Sequence, residues 1–97
     1  MNAARGETAV TVDGTPRRLC LTLGALAEIE AAFGCARISE LQARLRAASA
    51  ADLLIVLAAL LRGGREAETA AHVAAAEIAP GEAARAVAEA FRLGLEG

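Results

Sequence analysis

Apolar and polar residues alternate along two short runs near the start of the chain, at residues 9–12 and 18–22. Asp13-Gly14 lies between these runs, and this dipeptide between alternating segments is a strong signal for a β-hairpin. Because Pro16 fixes its own φ angle, we expect a four-residue loop over residues 13–16. A period of two places four apolar side chains on one face of this hairpin: Val10, Val12, Leu19 and Leu21.

Beyond the hairpin, apolar residues recur at helical spacing. Leu26, Ile29 and Phe33 form one stripe, and Thr22 before them is a suitable N-cap residue. Further helices are predicted from about Ser39, over residues 52–61, over 66–78 and over 82–93. An isolated hairpin is marginal in water, so its apolar face must lie on helices or its edges must pair with another chain. The pattern predicts an α+β fold that is mostly α, with an N-terminal β-hairpin packed on a bundle of about four to five short helices.

The 97 residues are sufficient for one domain and too few for two. We expect a flexible N-terminus over residues 1–6, the hairpin over 7–22 and the helical part over 23–95. The composition is 56% hydrophobic and only 2% aromatic, and alanine accounts for much of the apolar share. The core is therefore expected to depend on the leucines, a few Ile and Val residues, Phe33 and Phe91.

The segment 52–61 is apolar on every side and contains five leucines. Such a helix is either the central helix of the core or has one face against a partner. Fully burying five leucines contributes on the order of 10 kcal/mol before opposing terms. Ser49 and Asp52 have the spacing of a capping box at its start, and Gly63-Gly64 after Arg62 predicts a glycine at C′, the left-handed position just past its end.

Charge and residue chemistry exclude several classes of function. The net charge is −2, which argues against general nucleic-acid binding, because phosphate recognition needs a basic surface. His72 is the only histidine, and Cys20 and Cys35 are not in a metal-binding or redox motif. We therefore expect no catalytic residues, no metal, no cofactor and no small-molecule substrate, and the chain is predicted not to be an enzyme.

The longest strongly apolar run, residues 53–61, has nine residues, whereas a membrane span needs about 20. The first residues lack the apolar run of a signal peptide. The sequence therefore predicts a cytoplasmic protein without membrane association.

Three segments, taken in their order and spacing, resemble the gene-transfer-agent-type phage tail assembly chaperones, which are encoded in phage-derived tail gene clusters of bacteria. The segments are Gly6-Glu7 through Phe33-Gly34, Asp52 through Gly64, and Ile78 through Phe91. The resemblance implies a non-enzymatic chaperone that binds the tape-measure protein and helps to recruit tail-tube subunits, and it brings no catalytic motif.

Two expectations complete this hypothesis. The client is expected to bind the apolar helix and the hairpin, whose edges are expected to be open, with six residues as partner-binding candidates: Leu53, Val56, Leu57, Leu60, Val10 and Val12. Homo-oligomerisation stays open. The alternative is a small regulatory or DNA-contacting helical domain, against which the acidic pI of about 5.4 argues.

Overall fold

A two-stranded antiparallel β-sheet lies on five α-helices in the computed structural model, which describes residues 7–96. A 3₁₀ turn over Val73–Ala75 follows the fourth helix. The predicted α+β, mostly α fold is confirmed, and the predicted flexible N-terminus lies outside the described residues. The elements are β1 (Glu7–Val12), β2 (Thr15–Cys20), α1 (Leu23–Phe33), α2 (Ile38–Arg46), α3 (Ala50–Gly63), α4 (Ala67–Ala71) and α5 (Pro80–Glu96).

The hairpin turn contains two residues, and the predicted four-residue loop is wrong. Asp13 and Gly14 both have positive φ angles, 52° and 81°, as the mirror-image turns that connect twisted strands require. Pro16 lies inside β2 opposite Thr11. The Thr11 N–H points away from β2, so this pair is not hydrogen-bonded and the missing N–H of proline costs the ladder nothing.

The helices cover one face of the hairpin. α3 packs against β2 and α5 packs against β1, while α1 and α4 flank α3. No polar or charged residue is buried within residues 7–96. The largest fully buried side chains come from the hairpin and from α1, α2 and α3: Val10, Leu19, Ile29, Leu41, Val56, Leu57, Leu60 and Leu61. α3 is thus the central helix of the core.

Both ends of α3 have defined caps, but the second differs from the prediction. The predicted capping box is present, with Ser49 and Asp52 each accepting the other's backbone N–H at 3.1 Å. At the other end Arg65, with φ of 66°, is the left-handed residue. The Arg65 and Glu66 N–H groups donate to the carbonyls of Arg62 and Leu61, the bonds of a Schellman motif. The expected glycine therefore does not occupy the left-handed position.

The helix predicted over residues 66–78 is interrupted. α4 ends at Ala71, and His72 has φ of −119° before the 3₁₀ turn. The His72 ring nitrogen Nδ1 lies 3.1 Å from the Glu68 carbonyl, the acceptor that the His72 backbone would use in a continuing helix. A side chain that takes a backbone acceptor in this way competes with helix propagation.

Candidate functional site

Most of the six predicted partner-binding residues lie inside the core. Leu53 is half-buried, whereas the other five are at most 4% exposed: Val10, Val12, Val56, Leu57 and Leu60. Their predicted role in binding stays a prediction, but in this conformation they offer a partner almost no surface. The apolar helix packs against this chain's own elements on most of its sides, and Ile55 stays exposed.

The outer edge of β2 is closed by the backbone of the α3 end. A Cβ atom on Gly63 would lie 2.2 Å from the Cys20 carbonyl oxygen, and one on Gly64 would lie 2.3 Å from the Arg18 carbonyl oxygen. The two glycines are thus needed for close approach to the strand. The Arg18 N–H on the same edge donates to Glu66 Oε2 at 2.9 Å.

The outer edge of β1 is closed differently, by a side chain. The Thr11 N–H donates to Glu82 Oε1 at 2.6 Å, from the first turn of α5. This hydrogen bond holds the pKa of the Glu82 carboxyl below its ordinary value, because it favours the charged form. Both edges of the hairpin therefore have partners within the chain, contrary to the expectation of open edges.

The hairpin turn is tied to the segment before α5 by a reciprocal pair of hydrogen bonds. The Asp13 N–H donates to the Glu77 carbonyl at 3.0 Å, and the Glu77 N–H donates to Asp13 Oδ1 at 2.7 Å. Asp13 and Glu77 are 64 residues apart. Three acidic side chains (Asp13, Glu66 and Glu82) thus fix the hairpin to the helical part.

A polar cavity of about 450 Å³ lies between the hairpin turn and α4. Arg17, Arg65 and His72 line it together with Glu66 and four further polar or acidic side chains: Asp13, Thr15, Glu68 and Thr69. The Arg17 Nε atom is buried without a hydrogen-bond partner, and its guanidinium lies 3.7 Å from Glu66. No cluster of three metal-ligating side chains occurs among residues 7–96. The cavity combines both signs of charge and does not define a specific ligand.

An apolar cleft of about 720 Å³ separates α2 from α5. Its walls are formed by Leu45, Leu53, Val87, Phe91 and Leu95. Sequence reasoning assigned most of these residues to apolar stripes within the core. Their helical spacing correctly indicated apolar helix faces, but it could not show that α2 and α5 are separated by a cleft.

The remaining candidates from the sequence are two cysteines and the histidine. Cys20 is buried, Cys35 is half-buried, and no disulfide joins them. His72 is exposed and lies beside the polar cavity. The Cys35 thiol and the His72 ring each have a backbone carbonyl as their described hydrogen-bond partner, that of Phe33 and that of Glu68.

A comparison with protein-family models matches residues 5–97 to the family described as phage tail tube protein, GTA-gp10. The match covers nearly the whole chain. The chain belongs to the phage tail tube protein family. Comparisons with curated proteins and with solved structures return no match.

The tail tube family confirms one part of the sequence interpretation and overturns another. The connection to phage and gene-transfer-agent tails is confirmed. The prediction of an assembly chaperone that binds the tape-measure protein is wrong, because the matching family is described as a tube component. Among residues 7–96, no helix has both the length and the apolar character that crossing a membrane demands.

Proposed function

We propose that this tail tube family member is a non-enzymatic structural subunit of the tail tube of a phage or gene transfer agent. The observation that carries the proposal is the family match over residues 5–97. A tube subunit works by holding copies of itself or its neighbours in a fixed arrangement, and it needs a rigid body with exposed contact surfaces.

The described structure supports a role of this kind in two ways. A continuous apolar core connects the hairpin with every long helix, which gives a rigid body. Large apolar side chains remain on its outside, with Leu23 83% exposed, Ile38 40% and Ile55 41%. Exposed apolar side chains supply surface that association would bury.

The non-enzymatic character is supported by the surroundings of His72, the one histidine of the sequence. His72 makes one described side-chain contact, with a backbone carbonyl, and is far in sequence from either cysteine. A nucleophile needs an oriented base beside it. The DNA-contacting alternative gains no support, because α4 has only five residues and carries Glu68 but no Arg or Lys.

Deletion of the gene tests the proposal in the producing cell. We expect electron micrographs of the deletion strain to show heads without tails. The wild-type gene supplied in trans is expected to restore the tails. Complementation with the Leu57→Ala variant is expected to restore fewer tails, because the substitution weakens the core of the subunit. Normal, full-length tails in the deletion strain would contradict a structural role in the tube.

A further inference from the structure

The two edges of the hairpin are closed by different means, and the difference determines which edge can open. On β2, Pro16 has no N–H and the α3 backbone at Gly63 and Gly64 abuts the outward carbonyls. Opening this edge would require the end of the central helix to move. On β1, the Thr11 N–H is held by the Glu82 side chain, which rotation about side-chain bonds can withdraw.

The register identifies the groups that β1 would offer. The outward N–H groups of Thr11 and Arg18 show that Thr11–Pro16 and Ala9–Arg18 are non-hydrogen-bonded pairs. Every second residue of β1 therefore directs its N–H and C=O away from β2, namely Glu7, Ala9 and Thr11. Within residues 7–96, no group other than Glu82 is hydrogen-bonded to this row.

This row is complementary to itself. If a second β1 lies antiparallel with Ala9 opposite Ala9, then Glu7 of each copy lies opposite Thr11 of the other. In this register no like charges face each other, and the small side chain of Ala9 lies at the two-fold axis. Thr8 and Val10 stay on the core side of the sheet in both copies. The Thr11 N–H would then donate to the Glu7 carbonyl of the second copy in place of Glu82.

We propose that the β1 edge is a strand-addition site for β1 of a second copy, and that Glu82 keeps this site closed in the free chain. The resulting four-stranded sheet is symmetric about a two-fold axis, so each copy supplies the same surface. The proposal rests on the proposed function only for the choice of a second copy as the partner.

Sedimentation of purified full-length protein tests the proposal without any tail particle. Glu82→Ala should dimerise at a concentration at least about tenfold lower than wild type, because the edge is no longer occupied. Glu66→Ala is the matched control, since the β2 edge stays filled by the glycine backbone, and it should behave as wild type. Association that is unchanged in Glu82→Ala, or equally increased in Glu66→Ala, would overturn the proposal.

Two further variants identify the surface used. Glu82→Ala combined with Ala9→Pro should return to the wild-type association, because proline at this outward position blocks the edge without removing a β1–β2 hydrogen bond. If that variant fails to fold by circular dichroism, Ala9→Cys in the Glu82→Ala background replaces it. The proposed register places the Cα atoms of residue 9 in the two copies within disulfide range. A disulfide between copies that forms on oxidation of this variant, and does not form in Glu82→Ala alone, therefore supports the register. A dimer that never forms this disulfide overturns it. The presence of the chain in purified tails decides the proposed function separately.

Discussion

Gly64 is the residue at which a single methyl group is expected to matter most. Its Cβ would lie 2.3 Å from the Arg18 carbonyl oxygen and 2.7 Å from the carbonyl carbon, both backbone atoms. Relief requires α3 and β2 to separate, because neither atom can rotate away. The position therefore depends on the absence of a side chain and not on a left-handed backbone, since φ is −84°.

We predict that Gly64→Ala lowers the free energy of unfolding by about 1–3 kcal/mol, the usual cost of overpacking. Gly81→Ala is the control, because a Cβ there meets nothing within 4 Å in the first turn of α5. The control should be neutral or slightly stabilising, since alanine favours helix over glycine. Urea denaturation of wild type, Gly64→Ala and Gly81→Ala measures both changes. Equal free energies of unfolding would contradict the prediction that the close approach of α3 to β2 excludes a side chain at residue 64.

The carboxylates that close the hairpin edge and cap α3 give a second expectation at this scale. Hydrogen bonds from the Thr11 and Ser49 backbone hold the pKa values of Glu82 and Asp52 below their ordinary range. A carboxyl whose pKa is lower in the folded state stabilises the fold above its unfolded pKa, and this contribution disappears as pH falls through the folded pKa. The affected window is below about pH 4.

We predict that the Glu82→Gln variant unfolds at a lower temperature than wild type at pH 7 and that the difference shrinks as the pH falls below about 4. Thermal unfolding followed by circular dichroism across this range measures it. Glu40→Gln is the comparison, since Glu40 is exposed on α2 and has no described ion pair. A difference for Glu82→Gln that is constant with pH would contradict the role given to the carboxylate charge.

At the scale of the element, α3 is the helix around which the other elements pack. It contacts the hairpin, α1, α4 and α5. Its faces are nonetheless unequal, because Leu57 is 2% exposed whereas Ile55 is 41% exposed. The difference permits a test within one helix, where propensity and length stay the same.

Leu57→Ala is predicted to cost about 2–5 kcal/mol, the range for a leucine that leaves a cavity in a packed core. Ile55→Ala on the same helix should cost less than about 1.5 kcal/mol, because part of the removed surface is already in water. Chemical denaturation of both variants gives the comparison. Similar losses at the two positions would mean that α3 is not packed asymmetrically as described.

Local elements were predictable from the sequence to the extent that their causes are local. Three predicted features depend only on residues close together in the sequence. They are the Asp13-Gly14 turn, the Ser49–Asp52 capping box and the apolar face of the hairpin. The break in α4 was missed because one ring contact, from His72 to the Glu68 carbonyl, competes with the helix in a segment of otherwise good helix formers.

At the scale of the whole molecule, the features missed from the sequence are those that join distant segments. Glu82 and Thr11 are 71 residues apart and Glu66 and Arg18 are 48 apart, so no periodic pattern connects them. The hairpin edges were expected to be open for this reason. The cleft between α2 and α5 could not be predicted for the same reason. Its apolar residues have helical spacing whether or not the two helices are in contact.

The assignment to the tail tube family unites these features in one account. A small chain with a continuous apolar core and an edge closed by one carboxylate is suited to act as a building unit whose contacts form only when copies are brought together. The central claim is that the chain remains in the finished tail as a structural subunit.

Quantitative mass spectrometry of purified tails tests this claim most directly. With isotope-labelled peptides of this chain as standards, the account predicts many copies per tail, in a number that increases with tail length. A chain that is made in the cell but is missing from purified tails would contradict the account.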